Sequence, residues 1–420
     1  MAENVRLASS KDTVYTLNGF GALAGLQRFN YSYSANEEDM YEIGNSVKVA
    51  TSTDPETSLS FEVTDTGALA ALFARMQYDY SAQDYEAGVN PDIATNVFSF
   101  TEEDLQYLIF TAGEYKAPGD VFDSATILPY HFVDSIGIRL TSDGVGTVTI
   151  DASGSLFQPI YKPYHTTAAY PVQWASNTTV DINAGWSVAS GTHGVLALEV
   201  NNKIIENTNL SWTAADTVTI AGGDTVAADD RLMLWAFELT PSASLPALDY
   251  VNAIRFVKPD RINIWLIPSG TAAGATDNYL RVQSLDLTVD LAREELREIA
   301  RNEQGSAVFY QAPQYPLDIS GSIGIYETNL SKFAELQGKT LNESATTGTI
   351  DLDNVLSSND FVDAKVVVEW YKYGSISPIQ RLTCDNVAIT GYDSTQEVRG
   401  RKEGTWNIST SDFLLEGFDV

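Results

Sequence analysis

Cysteine is nearly absent. Cys384 is the only one in 420 residues, which excludes an internal disulfide and a thiolate metal cage; it reads as a small core residue on the strand TCDNVAIT. Histidine is almost as scarce: His131, His165 and His193 stand far apart without metal-ligand spacing, so each reads as structural or surface. The nucleotide and nucleophile signatures GxxxxGKS/T, GxGxxG and GxSxG are missing, and no catalytic site, metal or cofactor is expected. Long apolar runs are lacking too. None approaches the ~18 residues that cross a bilayer, and MAENVRLASSKDTVY has neither the basic start nor the apolar stretch of a secretory signal. A soluble chain without an export address or membrane insertion is expected, and Asn-x-Ser/Thr triplets such as Asn177-Thr178-Thr179 then read as chance. Basic residues are few as well: 25 Lys and Arg face 56 Asp and Glu, for a net charge of −31. Such a surface repels nucleic acid, with its charge every ~1.7 Å of duplex axis, so a grip on DNA is excluded while passage of DNA is not. Adaptation to high salt, which screens self-repulsion, accounts for the same charge equally well.

What is present is a globular composition, 44% hydrophobic and 11% aromatic, long enough for roughly two to four domains. The chain also repeats itself. QRFNYSYSANEEDMYEIGN (27–45) answers QSLDLTVDLAREELREIAR (283–301), with Glu38, Glu42 and Ile43 returning as Glu294, Glu298 and Ile299. Ser58 and Phe61 align with Ser322 and Ile325, VRLASSKDTVYTL with IRFVKPDRINIWLI, and DSIGIRLT from Asp134 with DNVAITGY from Asp385. Blocks kept in one order indicate duplication.

Alternation of period two dominates both copies, as in Phe29-Asn30-Tyr31-Ser32-Tyr33-Ser34 and Leu285-Asp286-Leu287-Thr288-Val289-Asp290, and predicts strands with one apolar and one polar face. Short helices are expected over Thr66–Met76, over Asn329–Gln337 and after Thr101. The class is therefore mainly β: two tandem β-sandwich or barrel domains, each flanked by a short helix, at 1–168 and 248–420. Between them, 169–247 reads as a small all-β sandwich, with turns at Asn201-Asn202 and Gly222-Gly223-Asp224. Its tryptophans, Trp174, Trp186, Trp212 and Trp235, are expected to pack that core, with a sugar-stacking platform as the competing role. The charged segments after the first repeated strands are either solvated turns or a contact arm, acidic in one copy and partly basic in the other.

The segment Tyr41-Glu42-Ile43-Gly44-Asn45, following its strand, resembles tail tube proteins of tailed bacterial or archaeal viruses; the second copy departs from it, with Ala300 in place of Gly44. That resemblance implies rings whose hairpins join into a β-barrel around a lumen, and with two domains per chain it implies three copies per pseudo-sixfold ring, the rings stacking through the arm. It makes Asn30, Ser32, Ser34, Ser60, Glu62, Asp286, Thr288, Asp290 and Ser322 lumen-facing candidates on a face expected to bear acids and no lysine or arginine. It makes Glu37, Glu38, Asp39, Tyr41, Glu42, Ile43, Arg293, Glu294, Glu295, Arg297, Glu298, Ile299 and Arg301 candidates for the inter-ring or inter-subunit arm. The implied partners are further copies of the chain, other tail proteins, DNA in transit and, through the middle module, host glycans. The implied location is the virion tail after synthesis in the host cytoplasm. A trimeric hub or distal tail protein and a glycan-binding surface protein are the alternatives.

Overall fold

Period-two alternation becomes strand throughout the computed structural model, which describes residues 13–17, 25–34, 37–40, 49–52, 56–64, 78–79, 84–85, 98–105, 109–116, 124–154, 158–161, 167–182, 188–201, 203–240, 259–268, 282–291, 293–297, 309–313, 317–325, 364–371, 376–396 and 402–418. The first copy supplies β1 (Thr13–Leu17), β2 (Leu26–Ser34), β3 (Glu37–Met40), β4 (Val49–Ser52), β5 (Glu56–Val63), β6 (Tyr78–Asp79), β7 (Asp84–Tyr85), β8 (Phe98–Thr101), the helical turn α1 (Glu102–Leu105), β9 (Ile109–Lys116), β10 (Ser124–Thr141), β11 (Thr147–Gly154) and β12 (Gln158–Tyr161). The middle region supplies β13 (Thr167–Ser176), β14 (Thr179–Ile182), β15 (His193–Val200), β16 (Lys203–Glu206), β17 (Leu210–Trp212), β18 (Thr217–Ile220) and β19 (Leu232–Glu238). The second copy supplies β20 (Ile262–Pro268), β21 (Val282–Asp290), β22 (Arg293–Arg297), β23 (Phe309–Pro313), β24 (Asp318–Ile325), β25 (Ala364–Tyr371), β26 (Pro378–Gln396), β27 (Lys402–Thr410) and β28 (Leu414–Gly417). The class is mainly β. The short helix expected after Thr101 is α1; those expected over Thr66–Met76 and Asn329–Gln337 lie outside the described residues. No helix among the described residues is long and apolar enough to cross a membrane.

The two copies have the same wiring. In the first, β1 pairs with β9, β9 with β10, β10 with β11, β11 with β5 and β5 with β2. In the second, β20, β25, β26, β27, β24 and β21 follow in the same order. Even irregularities recur: the bulge between Val133 and Ser135 returns between Ile389 and Gly391, and the one between Leu26 and Arg28 returns between Val282 and Ser284. Through these pairings Phe29 is the counterpart of Leu285, Ile150 of Trp406 and Phe61 of Ile323.

That last correspondence corrects the sequence alignment. Ser322 answers Ser60 rather than Ser58, a slip of two residues that leaves every side chain on its proper face. The alignment of Asp134 with Asp385 is also displaced, because the shared bulge makes Thr390 the counterpart of Asp134. The upstream alignment stands, with Thr16 and Trp265 in equivalent places.

Both copies contribute to a single sheet with strand order β2-β5-β11-β10-β21-β24-β27-β26-β25-β20. Its inner face buries one continuous core in which Leu59, Phe61, Ile136 and Ile150 of the first copy join Leu285, Val289, Ile323, Trp370 and Trp406 of the second. Burial of one such side chain, Phe61 for example, is worth about 1.5–3 kcal/mol. Cys384 lies in this core at 1% exposure, as the sequence suggests, and burial pushes its thiol up to about 12.

The middle region folds over a second core. β13 serves two sheet halves: its first part pairs with β19 and its second with β14, the switch occurring between Pro171 and Val172, and a bulge between Trp174 and Ser176 interrupts the second ladder. Val172, Val180, Val218, Leu198 and Leu234 from both halves meet inside. Positive φ at Asn201, Gly222 and Gly223 marks the two expected turns, where left-handed backbone favours these residue types. The domain boundary drawn at 168/169 falls inside β13, whose first residues already pair with β19.

Candidate functional site

The nine lumen-facing candidates lie on one face of the sheet, the face turned away from the core. Cross-strand neighbours there include Asn30 and Ser60, Ser32 and Ser58, Asp286 and Ser322, and Thr288 and Ser320; Asn30, Ser32, Ser34, Asp286, Thr288 and Asp290 are exposed, while Ser60, Glu62 and Ser322 are half-buried. Hydroxyls tie the face together laterally: Ser32 Oγ and Ser58 Oγ are 2.7 Å apart, and Ser135 Oγ donates to Asp151 Oδ2 at 3.0 Å.

One expectation about this face is overturned. It carries two arginines, Arg28 and Arg139, each directly opposite an acid: Arg28 faces Glu62 and Arg139 faces Asp286. Against them stand Glu62, Asp151, Asp286, Asp290, Asp318 and Asp393, so the acidic excess survives. Asp290 and Asp318 are themselves directly opposite, an arrangement that disfavours anions nearby.

The sheet passes from one copy into the other at β10 and β21, in register from Ser135 opposite Asp290 to Thr141 opposite Ser284. Backbone bonds extend the junction at both ends, Ser142 N–H to the Gln283 carbonyl at 2.7 Å and Leu291 N–H to the Asp134 carbonyl at 2.9 Å. On the core side it is closed by Ile136 opposite Val289, exposed 1% and 2%. A second junction brings β8 of the first copy onto β28 of the second. The counterpart edges differ: among the described strands, β2 pairs only with β5, and residues 391–396 of β26 pair only with β27.

The arm candidates divide. Glu37, Glu38 and Asp39 lie on β3, in a hairpin with β4; Glu294, Glu295 and Arg297 lie on β22, in a hairpin with β23 that joins the module's sheet where Tyr310 meets Lys203. Tyr41, Glu42, Ile43, Glu298, Ile299 and Arg301 lie outside the described residues. Arg293 corrects the expectation of an outward arm, because its side chain turns into its own chain. Its Nε donates to the Val133 carbonyl at 2.9 Å and Nη2 to the Leu105 carbonyl at 3.4 Å, with the guanidinium 5.6 Å from the centre of the Phe132 ring.

Around Arg293 gather the ionisable groups that join the three regions. Burial pushes Glu199 of the module up to about 8, opposed by Arg231, by the Trp235 indole and by Arg293. Burial likewise raises Asp134 of the first copy to about 6, opposed by a hydrogen bond from Ser153 and by Arg293. Arg293 is itself lowered to about 10 by burial, with Asp134 and Glu199 holding it charged. Nothing in the sequence pointed to this node, since its members are scattered along the chain and only packing assembles them.

The other residues singled out in the sequence, where they are described, take part in packing and hydrogen bonds. His131 is buried, its Nε2 2.9 Å from Thr57 Oγ1; His193 is 2.9 Å from Thr192 Oγ1 through Nδ1 and its pKa is lowered by burial; His165 lies outside the described residues. Trp174 and Trp212 pack on the module core and donate to the Val226 and His193 carbonyls. Trp235 instead belongs to the core shared with the two copies, and Trp186 lies outside the described residues. No group of three or more His, Cys, Asp or Glu able to hold a metal ion occurs among the described residues.

No family model matches the chain, and no curated protein matches it. Among solved structures it is similar to a chain of the sheath-tube complex, in the extended state, of an extracellular contractile injection system, PVC, at 10% identity and TM-score 0.23 over 37% of this chain and 88% of that one. It is also similar to a chain of the sixfold-symmetrised baseplate of the anti-feeding prophage, at 14% identity and TM-score 0.26 over 42% of this chain and 99% of that one.

Proposed function

We propose that the protein is a structural subunit of a tail-like particle that assembles into rings of three chains, each chain supplying two successive units of a pseudo-sixfold wall. The observation that carries this reading is the single sheet built from both copies, with a buried face, a polar face of net acidic character, and a junction that one copy offers and the other accepts. In a ring the polar face lines the lumen, and its hydroxyls and carboxylates let DNA pass without holding it. Each contact is head-to-tail, a surface of one kind meeting a surface of another, and such contacts close into rings when the rotation between units permits. Closure also removes the exposed strand edges that otherwise invite aggregation. The role requires no catalysis and no cofactor; its partners are further copies of the chain and other tail proteins, and its place is the tail of the particle.

Negative-stain electron microscopy of the purified protein at low and molar salt tests this. Rings or hollow tubes with three chains per layer are expected, more readily at high salt because screening relieves repulsion between subunits of charge −31. Monomers at both salt concentrations would overturn it.

A further inference from the structure

The internal junction dictates which residues face each other between chains. The correspondence of the two copies equates β10 with β26 and β21 with β2. Inside one chain β10 pairs with β21; their counterparts, residues 391–396 of β26 and strand β2, are both edges without a second strand neighbour among the described strands. We infer that residues 391–396 of β26 in one chain pair antiparallel with β2 of a second copy, placing Gly391 opposite Ser34, Tyr392 opposite Tyr33 and Asp393 opposite Ser32. The occupant of the edge is thus a second copy of this chain, and the inference rests on the ring reading above.

Side chains at these edges agree with that register. Ile136 and Val289, the core-side pair at the internal junction, are exposed 1% and 2%, whereas their counterparts Tyr392 and Tyr33 are exposed 38% and 53%. They are thus the large apolar groups left uncovered at the two places where the pattern calls for a covered pair. Tyr392 is already positioned. Its ring meets Trp406 edge to face at 6.2 Å between centroids, and it occupies space that Gly404 leaves free: a Cβ on Gly404 would come within 2.8 Å of Tyr392 Cε2. The first copy has Val148 at that position, where Ile136, the counterpart of Tyr392, is smaller. Tyrosine suits a surface that is wet in the monomer and covered in the assembly, having an apolar body and a polar tip. A second edge follows the same logic: β28 is flanked by β26 and β8, while its counterpart β12 pairs only with β10 among the described strands.

Cysteine cross-linking tests the seam, and the background is low because Cys384 is buried at 1% exposure. The full-length double variant Ser32→Cys/Asp393→Cys is oxidised mildly beside the slipped pair Ser32→Cys/Gly391→Cys. As in-chain control, Gly137→Cys/Thr288→Cys places two thiols at the equivalent internal positions. Directly opposite residues lie within disulfide range and diagonal ones beyond it. The expected result is a cross-linked series ending at three chains for the first variant, little or none for the slipped pair, and an intramolecular bond in the control. Rings visible by microscopy without the Ser32–Asp393 cross-link would overturn the seam and leave the ring reading standing. A cross-linked ladder continuing past three chains would support the seam and overturn closure at three. Absence of both rings and cross-links would overturn both. Tyr392→Asp, which changes the exposed edge without entering the core junction, is expected to abolish the cross-link while leaving the monomer cooperatively folded in a thermal melt.

Discussion

The two copies solve one architectural problem with different chemistry at equivalent positions. Where the first copy sets apolar Tyr115 opposite Ala125, the second sets Glu369 opposite Arg381. There Arg381 donates from Nε to Glu369 Oε1 at 2.8 Å and approaches it through Nη2 at 2.6 Å, and Tyr371 donates to the other carboxylate oxygen. One register step away the pattern reverses. Glu114 of the first copy, buried beneath Tyr15 and Tyr31 and paired with Lys116 at 3.1 Å, has Val368 as its counterpart. The lesson is that strand wiring and the inward or outward sense of each residue are shared, while the means of filling each position is free to drift. The junctions break the symmetry: Ile136 and Val289 meet inside the chain, whereas Tyr392 and Tyr33 lie exposed at edges.

The largest effect expected from breaking this comparison comes at the internal junction. Ile136→Asp or Val289→Asp places an unpaired charge in the shared core and is expected to cost at least about 3–5 kcal/mol, preventing cooperative folding in a thermal melt; Tyr33→Asp, at the counterpart edge, leaves the melt unchanged and removes assembly. Next is the ion pair of the second copy. Arg381→Ala leaves Glu369 without its cationic partner and is expected to destabilise by about 3 kcal/mol in denaturant titration. Importing the first copy's solution, Glu369→Tyr with Arg381→Ala, is expected to recover most of that loss.

The node between module and copies predicts a pH dependence. Glu199 holds a proton in the folded chain up to about pH 8 that the unfolded chain releases above about 4.3, so stability falls as pH rises between those values and then levels. The fall is on the order of a few kcal/mol. Glu199→Gln removes that part of the slope in melts recorded across the range, and a slope unchanged by the substitution would show that Glu199 is not its source. The smallest effect concerns the polar side of the seam. Arg139 faces Asp286 inside the chain, while the counterparts are Thr395 and Asn30; Thr395→Arg with Asn30→Asp should tighten assembly by about 0.2–1 kcal/mol per contact, read as a lower concentration for ring formation at low salt.

Much of the fold was legible because β-sheet periodicity is written in single residues. The faces of β2 and β21 follow from Phe29-Asn30-Tyr31 and Leu285-Asp286-Leu287 alone. The register of β5 against β24 was not, because TSLSFEV and GSIGIYE alternate so regularly that a shift of two preserves every face. The long strands β10 and β26 were misaligned because their bulges fall out of phase with any simple repeat. Of the candidate site, the polar face was legible, and with it Arg28, which alternation places beside Asn30; Arg139 becomes a face residue only once Ile136, Ile138 and Leu140 are seen to turn inward. The inward course of Arg293 had no sequence signal, since Glu199, Asp134 and the Val133 carbonyl that receive it come from distant segments.

The most direct test of the central claim is a cryo-electron microscopy map of the assembled particle at side-chain resolution. Three chains per layer, with the sheet continuing from β26 of one chain into β2 of the next and Tyr392 against Tyr33, is the predicted result. A layer held together through other surfaces, with β2 and residues 391–396 both open to solvent, would contradict it.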